Sequence, residues 1–528
     1  VEAAGALLKG NFSTYREAAR EVVRARSRVF WIVAGLTALA ATARFATLGV
    51  QSYHHDEIVT AHRILRGSFW HAMDSVGFSE SAPPLYYALA WPWAQVAGTG
   101  EFGLRSLSAL AGVATIPVAY LLARDLSSKR AGLMAAALVA VNPMLIWYSQ
   151  EARAYSLLAL LCSLSLLYFV RALRDVPSVI HPYGGGGETH GTSRAALLWG
   201  VFSGLALATH YFAIFPIAAE ALWLLWRRRR EALPGVAIVA GFGVALAPLV
   251  VHQMSIGHAE WIGDFGLWHR LWETGLSFML GETGEIISRP EQPLLAVLPA
   301  LLAIAALVLI FFRGERDGRR AAQIPLAIAA VTVAVPLLVA LLAPGKDFVI
   351  ARNLIPALVP LLVAVAIGCT LRRSRRAGAA IGAALAVYSL GFSVWAGVSP
   401  ALQRPDWRAV ASTLGEPTTP RAVVTWTIGE GPLHHYLSTS SFQVRPRERF
   451  DWWVGEVDFV SDGPAPPPSR HLLGPGFRQA GYEPAGRLYV RRYVRTRPGL
   501  APLRLRTVRD ADLGFRTNGV LLNGIGPQ

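Results

Sequence analysis

Repeated apolar runs of roughly 17 to 22 residues fill the first 400 positions, and they constrain this chain more than any other feature. A helix of about 20 apolar residues crosses about 30 Å of hydrocarbon. Composition agrees: 53% of the 528 residues are hydrophobic and 16% charged, against about 25% charged in soluble proteins. The chain therefore reads as a polytopic α-helical membrane protein. The first run, "VFWIVAGLTALAATARFATLGV", is too long, and too poor in a small-residue cleavage site, for a signal peptide. Cys162 and Cys369 both lie inside apolar runs and read as small buried hydrophobes, not as a disulfide or a zinc site.

The formal net charge of +16 is read topologically, because Lys and Arg collect in cytoplasmic loops and no nucleic-acid motif is present. Candidate spans lie near 29–50, 105–123, 131–147, 154–173, 195–209, 210–226, 233–252, 292–313, 322–343, 350–370 and 377–397, about eleven in all. With the N-terminus inside, the basic clusters at 124–130, at 171–175 with Arg194, at 227–230, at 313–320 and at 372–376 all face the cytoplasm. This requires that "PPLYYALAWPWAQVAG", with Pro92 in its middle, does not span but re-enters or lies at the interface. Residues 51–104, 147–153, 209–212, 253–291, 344–352 and everything beyond 398 then face outward.

Three domains are expected: a cytoplasmic amphipathic helix over 1–28, a transmembrane domain over 29–399 and an extracytoplasmic α/β domain over 400–528. In the last, "DWRAVASTLGE" and "GPLHHYL" read as helices, while "RAVVTWT", "VGEVDFVSD" and "GRLYVRRYV" read as strands. The tail "LRLRTVRDADLGFRTNGVLLNG" is a candidate for a further strand. The glycine run at 184–187 follows no strand and reads as a flexible linker, not a nucleotide loop.

The polar residues gather on the outer loops. His54, His55, Asp56 and Glu57 follow the first span directly, and "EIVTAHRILRGSFWHAMDSV" carries apolar positions at helical spacing, as a helix on the membrane surface would. Its N-terminus favours the carboxylates. Glu80 precedes Pro83-Pro84 by three residues. Asn142-Pro143 breaks or caps a span, with Gln150, Glu151 and Arg153 beyond it. Arg153 has two bland readings, pairing with Glu151 or snorkelling to headgroups, and Arg105 shares the second. Lys346 and Arg352 are cations on the outer side, where the inside bias makes them conspicuous and suited to a lipid phosphate. His210 and Tyr211 occupy a tight turn between two spans.

Taken together, "HHDE", "ESAPPLYY", "LRSLSALAGVATIPVAYLLARDL", "NPMLIWYSQEARAYSLL", "THYF" and "RNLIPALVPLL" resemble the GT-C superfamily of polyprenyl-phosphate-sugar glycosyltransferases. The likeness is to the family 39 branch, with protein O-mannosyltransferases and aminoarabinose transferases as relatives. It covers most of residues 30 to 370, and "QRPDWRAVASTLGE" with "GPLHHYL" resembles the outer domain of bacterial relatives. The resemblance implies a GT-C fold, a polyprenyl-phosphate-linked sugar donor, transfer on the outer face of the cytoplasmic membrane and inversion at the anomeric carbon. The acceptor class stays open among glycan, lipid and protein. The Arg-, Ala-, Leu- and Gly-rich composition fits a high-GC bacterium.

By the same resemblance Asp56 is the general base, with Glu57 and Glu80 as further catalytic acids. Arg105, Arg153, Lys346 and Arg352 are assigned to the donor phosphate, and His55, His210 and Tyr211 to substrate contacts. Where the mannosyltransferases have Asp-x-His before the Pro-Pro pair, this chain has Glu80 and Ala82, so a divalent metal ion would fall to His54 and Glu80. No nucleotide or redox cofactor is expected. The inventory suits the chemistry: an attacking hydroxyl needs one carboxylate base, and a phosphate leaving group already ionised needs cations or a metal rather than an acid. Two other readings are a lipid-linked sugar flippase, which calls for intramembrane charges along a path and internal repeats, and a non-catalytic envelope scaffold.

Overall fold

The computed structural model describes residues 27–174, 194–257, 260–282, 292–343, 348–437, 441–444, 452–463, 473, 476–503, 507–508, 511–513 and 518–524. The expected amphipathic helix lies almost wholly outside these, as do the glycine linker and Lys346. Eight described helices are long and apolar enough to cross a membrane, or nine with one bent pair counted as a span. They include α1 (Ser27–Phe45), and the polar site residues follow its end directly.

Three short helices come next, α2 (His55–Ile58), α3 (Phe69–Ser79) and α4 (Leu85–Ala97). The single surface helix expected across 57–76 is broken. Residues Val59–Ile64 wind as a π-helix, Gly67 takes a left-handed φ of 85°, and the Ser68 hydroxyl caps α3 by accepting from His71 N. Glycine adopts that φ without Cβ strain, and a capped new helix follows. Helix α4 does not span. Its 13 residues extend about 20 Å, and both its flanks stay at one end of the bundle: Leu85 N donates to Ala208 O, and Tyr53 Oη donates to Thr99 O.

The bundle continues through α5 (Glu101–Leu126), α6 (Lys129–Val141), α7 (Pro143–Ser149), α8 (Tyr155–Arg174) and α9 (Arg194–Leu207). Asn142-Pro143 bends α6 against α7 by 57°. Pro143 cannot donate to the α6 ladder, and Asn142 Oδ1 caps α7 by accepting from Leu145 N at 3.0 Å. The carbonyls of Val139 and Ala140, left open by the break, accept from the buried Arg44 of α1 at 3.2 and 2.8 Å.

Helix α10 (Ile214–Ile256) would be about 65 Å long if straight. It instead folds back at the non-helical Arg229. Tyr211 Oη, just before its start, donates to Gln253 Oε1, near its end, at 2.7 Å. The two expected spans at 210–226 and 233–252 are the arms of this hairpin, and the span at 195–209 is the shorter α9. Helices α11 (Leu267–Leu280), α12 (Gln292–Arg313), α13 (Arg316–Leu342), α14 (Ile355–Cys369) and α15 (Arg375–Val398) complete the bundle. Helix α14, apolar on all sides, is buried along its length, as such a helix must be. Both cysteines are buried.

Beyond α15 lie α16 (Trp407–Leu414), α17 (Glu430–Tyr436) and a six-stranded sheet. Its strands are β1 (Arg421–Trp426), β2 (Ser441–Val444), β4 (Glu456–Asp462), β5 (Phe477–Ala485), β6 (Leu488–Arg495) and β8 (Asn518–Asn523), while β3 (Trp452–Val454) and β7 (Ala501–Leu503) form a separate ribbon. The order is β2-β8-β1-β4-β6-β5, with β1 and β4 parallel and the other pairs antiparallel. Val423, Val460 and Leu521 face α16 and α17, while Ala422, Val424 and Phe459 fill the opposite face, the alternation expected of strands. The tail supplies β8, which lies inside the sheet rather than at its edge.

Candidate active site

The loop after α1 is held in place mainly by Glu57. Its side chain is fully buried and accepts from Arg105 Nε and Nη2 at 2.7 Å each, from Ala152 N at 2.9 Å and from His54 N at 3.0 Å. Burial alone would push this carboxyl up. Arg105, Arg404 and the Ala152 amide outweigh that and pull it down to about 2. Arg105 in turn uses every N–H it has, its other bonds going to the carbonyls of Leu48, Gln51 and Ser52. This corrects two expectations. Arg105 is 1% exposed and has no donor left for a phosphate, and Glu57 anchors the loop rather than facing a substrate.

Asp56 is different. One oxygen, Oδ2, accepts from Arg352 Nη1 at 3.1 Å, and the two side chains stay 25% and 24% exposed. Burial raises the Asp56 carboxyl, but Arg352 and Arg153, with His54 and His55, prevail and hold it well below the usual carboxylate range. Arg352 sits under aromatic rings, 5.5 Å from the centroid of Trp261 and 6.0 Å from that of Tyr155. Among the described residues its one hydrogen bond is to Asp56, and the guanidinium otherwise meets the two rings.

Glu80 and Arg153 pair with each other, at 2.6 and 2.7 Å in a two-pronged contact. The expected pairing of Arg153 with Glu151 is thus replaced. Glu151 instead accepts from Arg404, whose Nη2 lies 2.5 Å away and whose Nη1 reaches Glu57 at 3.4 Å. Burial lifts the Glu151 carboxyl to about 7, with Arg404 opposing and the carboxylates of Glu57, Asp56 and Glu282 adding to the rise.

His54 and Glu80 do not fit a divalent ion, since Glu80 gives both oxygens to Arg153 and no three His, Cys, Asp or Glu side chains gather among the described residues. Burial keeps His54 neutral, down to about 4. His210 packs on Tyr155 at 5.7 Å and accepts from Phe212 N. Burial, then Arg352 and Arg153, lower it to about 3. Tyr211 is committed to Gln253, which also ties Val76 and Ala82 to the hairpin. His55 lies beside Gly431 of α17, and its buried Nδ1 has no hydrogen-bond partner among the described residues.

The C-terminal part grips the same loop. Tyr53 N donates to Tyr436 Oη at 2.8 Å, Ser52 Oγ donates to Pro405 O, and Trp407 N donates to Ser52 Oγ. Tyr436 Oη and Arg408 both donate to Glu101. His62 Nε2 and His435 Nδ1 stand 2.6 Å apart. Of these residues the sequence reading singled out none, because their partners lie more than 300 positions away and leave no spacing signal.

Residues 81–254 match the family model described as dolichyl-phosphate-mannose-protein mannosyltransferase. No curated protein matches the chain in sequence. Among solved structures, ArnT from Cupriavidus metallidurans bound to undecaprenyl phosphate is similar at 16% identity and a TM-score of 0.50, over 87% of this chain and 97% of that one. The Archaeoglobus fulgidus oligosaccharyltransferase in its apo form is 15% identical with a TM-score of 0.48, over 74% of this chain. This chain spans 58% of that protein's length. The arabinofuranosyltransferase AftD from Mycobacteria gives 16% identity and a TM-score of 0.44, over 88% of this chain and 41% of that one. The match to that family model thus lies over residues 81–254, and the fold as a whole is similar to that of ArnT.

Proposed function

We propose that the chain is an inverting glycosyltransferase that moves a sugar from a polyprenyl-phosphate donor to an acceptor hydroxyl, with Asp56 as general base. The observation that carries this reading is the Asp56–Arg352 pair. Of the three candidate acids, Glu57 is saturated by Arg105 and Glu80 by Arg153, while Asp56 keeps exposed surface beside a half-buried cation. ArnT was solved with undecaprenyl phosphate bound, and we carry that class of lipid to this chain as the carrier of the sugar.

In this scheme the acceptor oxygen attacks C1 from the side opposite the phosphate. The C1–O bond to phosphate breaks, and the hydroxyl proton passes to Asp56. A single displacement of this kind inverts the anomeric centre. The departing phosphate is already ionised and is held by the guanidinium of Arg352. A donor phosphate competes with Asp56 for Arg352. As that cation turns to the phosphate, Asp56 loses its strongest neighbour and becomes a better base, closer to the operating pH.

The reaction is assigned to the outer face of the cytoplasmic membrane. Asp56, Arg153, His210 and Arg352 lie at one end of the bundle, and the arginines at 171–174, 227–230 and 372–376 lie at the other. The inside bias of Lys and Arg supports that orientation. The acceptor hydroxyl belongs to a glycan, a lipid or a protein.

Purified wild type and Asp56→Asn would be incubated with a bacterial lipid extract, and donor loss and free polyprenyl phosphate followed by mass spectrometry. Asn keeps the shape and removes the base, so turnover should fall by about 10²–10⁴-fold. Equal turnover by both proteins would remove Asp56 from the mechanism.

A further inference from the structure

The end of the bundle away from Asp56 carries a second charged site that the proposed reaction does not use. A cleft of about 430 Å³ opens there, lined by Asp125, Tyr168, Arg171, Arg174, Arg194 and Leu198. It lies where α5 and α8 end and α9 begins.

Its charge is unbalanced. Asp125 is the one carboxylate in the lining, and it already pairs with Arg124 at 2.6 Å and with Arg171 at 2.9 Å. Arg174 is exposed and makes one long bond, 3.4 Å, to the Leu126 carbonyl. Arg194 is exposed and pairs with no described residue. Arg228 of the α10 turn reaches the same corner by donating to Leu173 O at 2.7 Å. Two guanidinium groups thus face the cleft, and among the described residues no carboxylate pairs with either.

The walls are amphipathic. Arg171 lies over the Tyr168 ring at 5.2 Å, and that ring stacks on Phe202 at 5.4 Å and 19°. Leu198 and the buried Ala195 continue the apolar side along α9. Basic pockets between spans, with apolar walls running into the bilayer, suit lipid headgroups, because the phosphate meets guanidinium while the chains follow the helices. We propose that this cleft binds the phosphate diester of an anionic phospholipid, with Arg174 and Arg194 as its principal contacts. The proposal is independent of the reaction assigned above.

The test uses the full chain in neutral detergent with added phosphatidylglycerol, phosphatidylcholine or inorganic phosphate. Three proteins are compared: wild type, Arg174→Gln/Arg194→Gln, and Arg372→Gln/Arg373→Gln, which removes two cations at the same end but outside the cleft. Arg194 has no partner in the described chain and Arg174 only a weak one, so the cleft variant should fold with an unchanged melting temperature. Phosphatidylglycerol should raise the melting temperature of wild type and of the Arg372/Arg373 variant, by mass action on the folded state. The cleft variant should need at least tenfold more of this lipid for the same shift, and native mass spectrometry should show fewer retained lipids. Equal shifts in all three proteins would reduce the effect to diffuse surface attraction and overturn the proposal. So would a wild-type shift from phosphatidylcholine as large as that from phosphatidylglycerol. A shift from inorganic phosphate with none from the lipid would also overturn it, and would name a soluble phosphate as the occupant.

Discussion

Arg404→Gln isolates what the C-terminal part contributes to the site. In the native structure Arg404 is 7% exposed, touches Glu151 at 2.5 Å and Glu57 at 3.4 Å, and lies over the Trp147 ring at 4.6 Å. Glu57 would keep Arg105 and two backbone amides after the change. Among the described residues Glu151 would keep no cation, because Arg404 is its one ion pair there. Removing one partner of a buried pair costs about 3–5 kcal/mol, since the remaining charge stays desolvated. Glu151 has one escape, which is to take up a proton. Its carboxyl already stands at about 7, raised by burial against the pull of Arg404, and losing Arg404 raises it further.

The sign follows from linkage. A carboxyl whose folded value is raised holds its proton more readily when folded, so its contribution favours the fold at low pH and is lost as pH rises through about 7. The Arg404→Gln deficit should therefore be largest near pH 8.5 and shrink toward pH 6. The double variant Glu151→Gln/Arg404→Gln leaves no unpaired charge and should recover most of the lost stability. Thermal unfolding at the two pH values is the assay. An Arg404→Gln protein as stable as wild type at the higher pH would refute the reasoning. So would a deficit independent of pH, or a double variant no better than the single.

Two further outcomes separate roles that the sequence had pooled. Arg352→Gln should weaken binding of polyprenyl phosphate by about 10–100-fold, the worth of one or two charge-assisted bonds, with little change in melting temperature. Arg105→Lys should do the reverse, because it strips buried acceptors on Glu57 and three carbonyls while leaving Arg352 in place; the opposite pattern would return Arg105 to the phosphate. The His62–His435 contact should make docking of α17 pH-dependent. Burial, then His435, then Arg66 and His434, hold His62 down to about 4 from an ordinary 6.5, and burial lowers His435 as well, with Glu101 opposing. Tyr53 and Tyr436 face the same pair without charge near neutrality. A depressed folded value means that the contact contributes fully above about pH 6.5 and is lost as pH falls through about 4. Amide-exchange protection over 52–64 and 430–436, corrected for the intrinsic pH dependence of exchange, should fall between pH 7 and pH 4.5, and His435→Gln should flatten that response; identical protection at both pH values would sink the idea.

Amino-acid order alone determined the elements. Apolar runs of bilayer length define most spans, Asn142-Pro143 marks the break between α6 and α7, short strand-like runs mark β1 and β4, and a period-2 run marks β6. These signals are local, set by hydrocarbon thickness, by the missing proline N–H and by the pleat. Order alone also brought Asp56 and Arg352 to attention, because charges beside a membrane are conspicuous. What it could not decide was which charge meets which. Arg105, Arg153 and Arg352 look alike in sequence, yet the first is saturated by Glu57 and three carbonyls, the second by Glu80, and the third keeps donors free beside Asp56. The partner of Glu57 lies 48 positions away and that of Glu151 lies 253. Only the packed bundle, with the C-terminal segment folded onto the first loop, brings such pairs within about 3 Å. Pairing then decides role, because a carboxylate whose acceptor sites are filled holds structure, and one left partly open can take a proton.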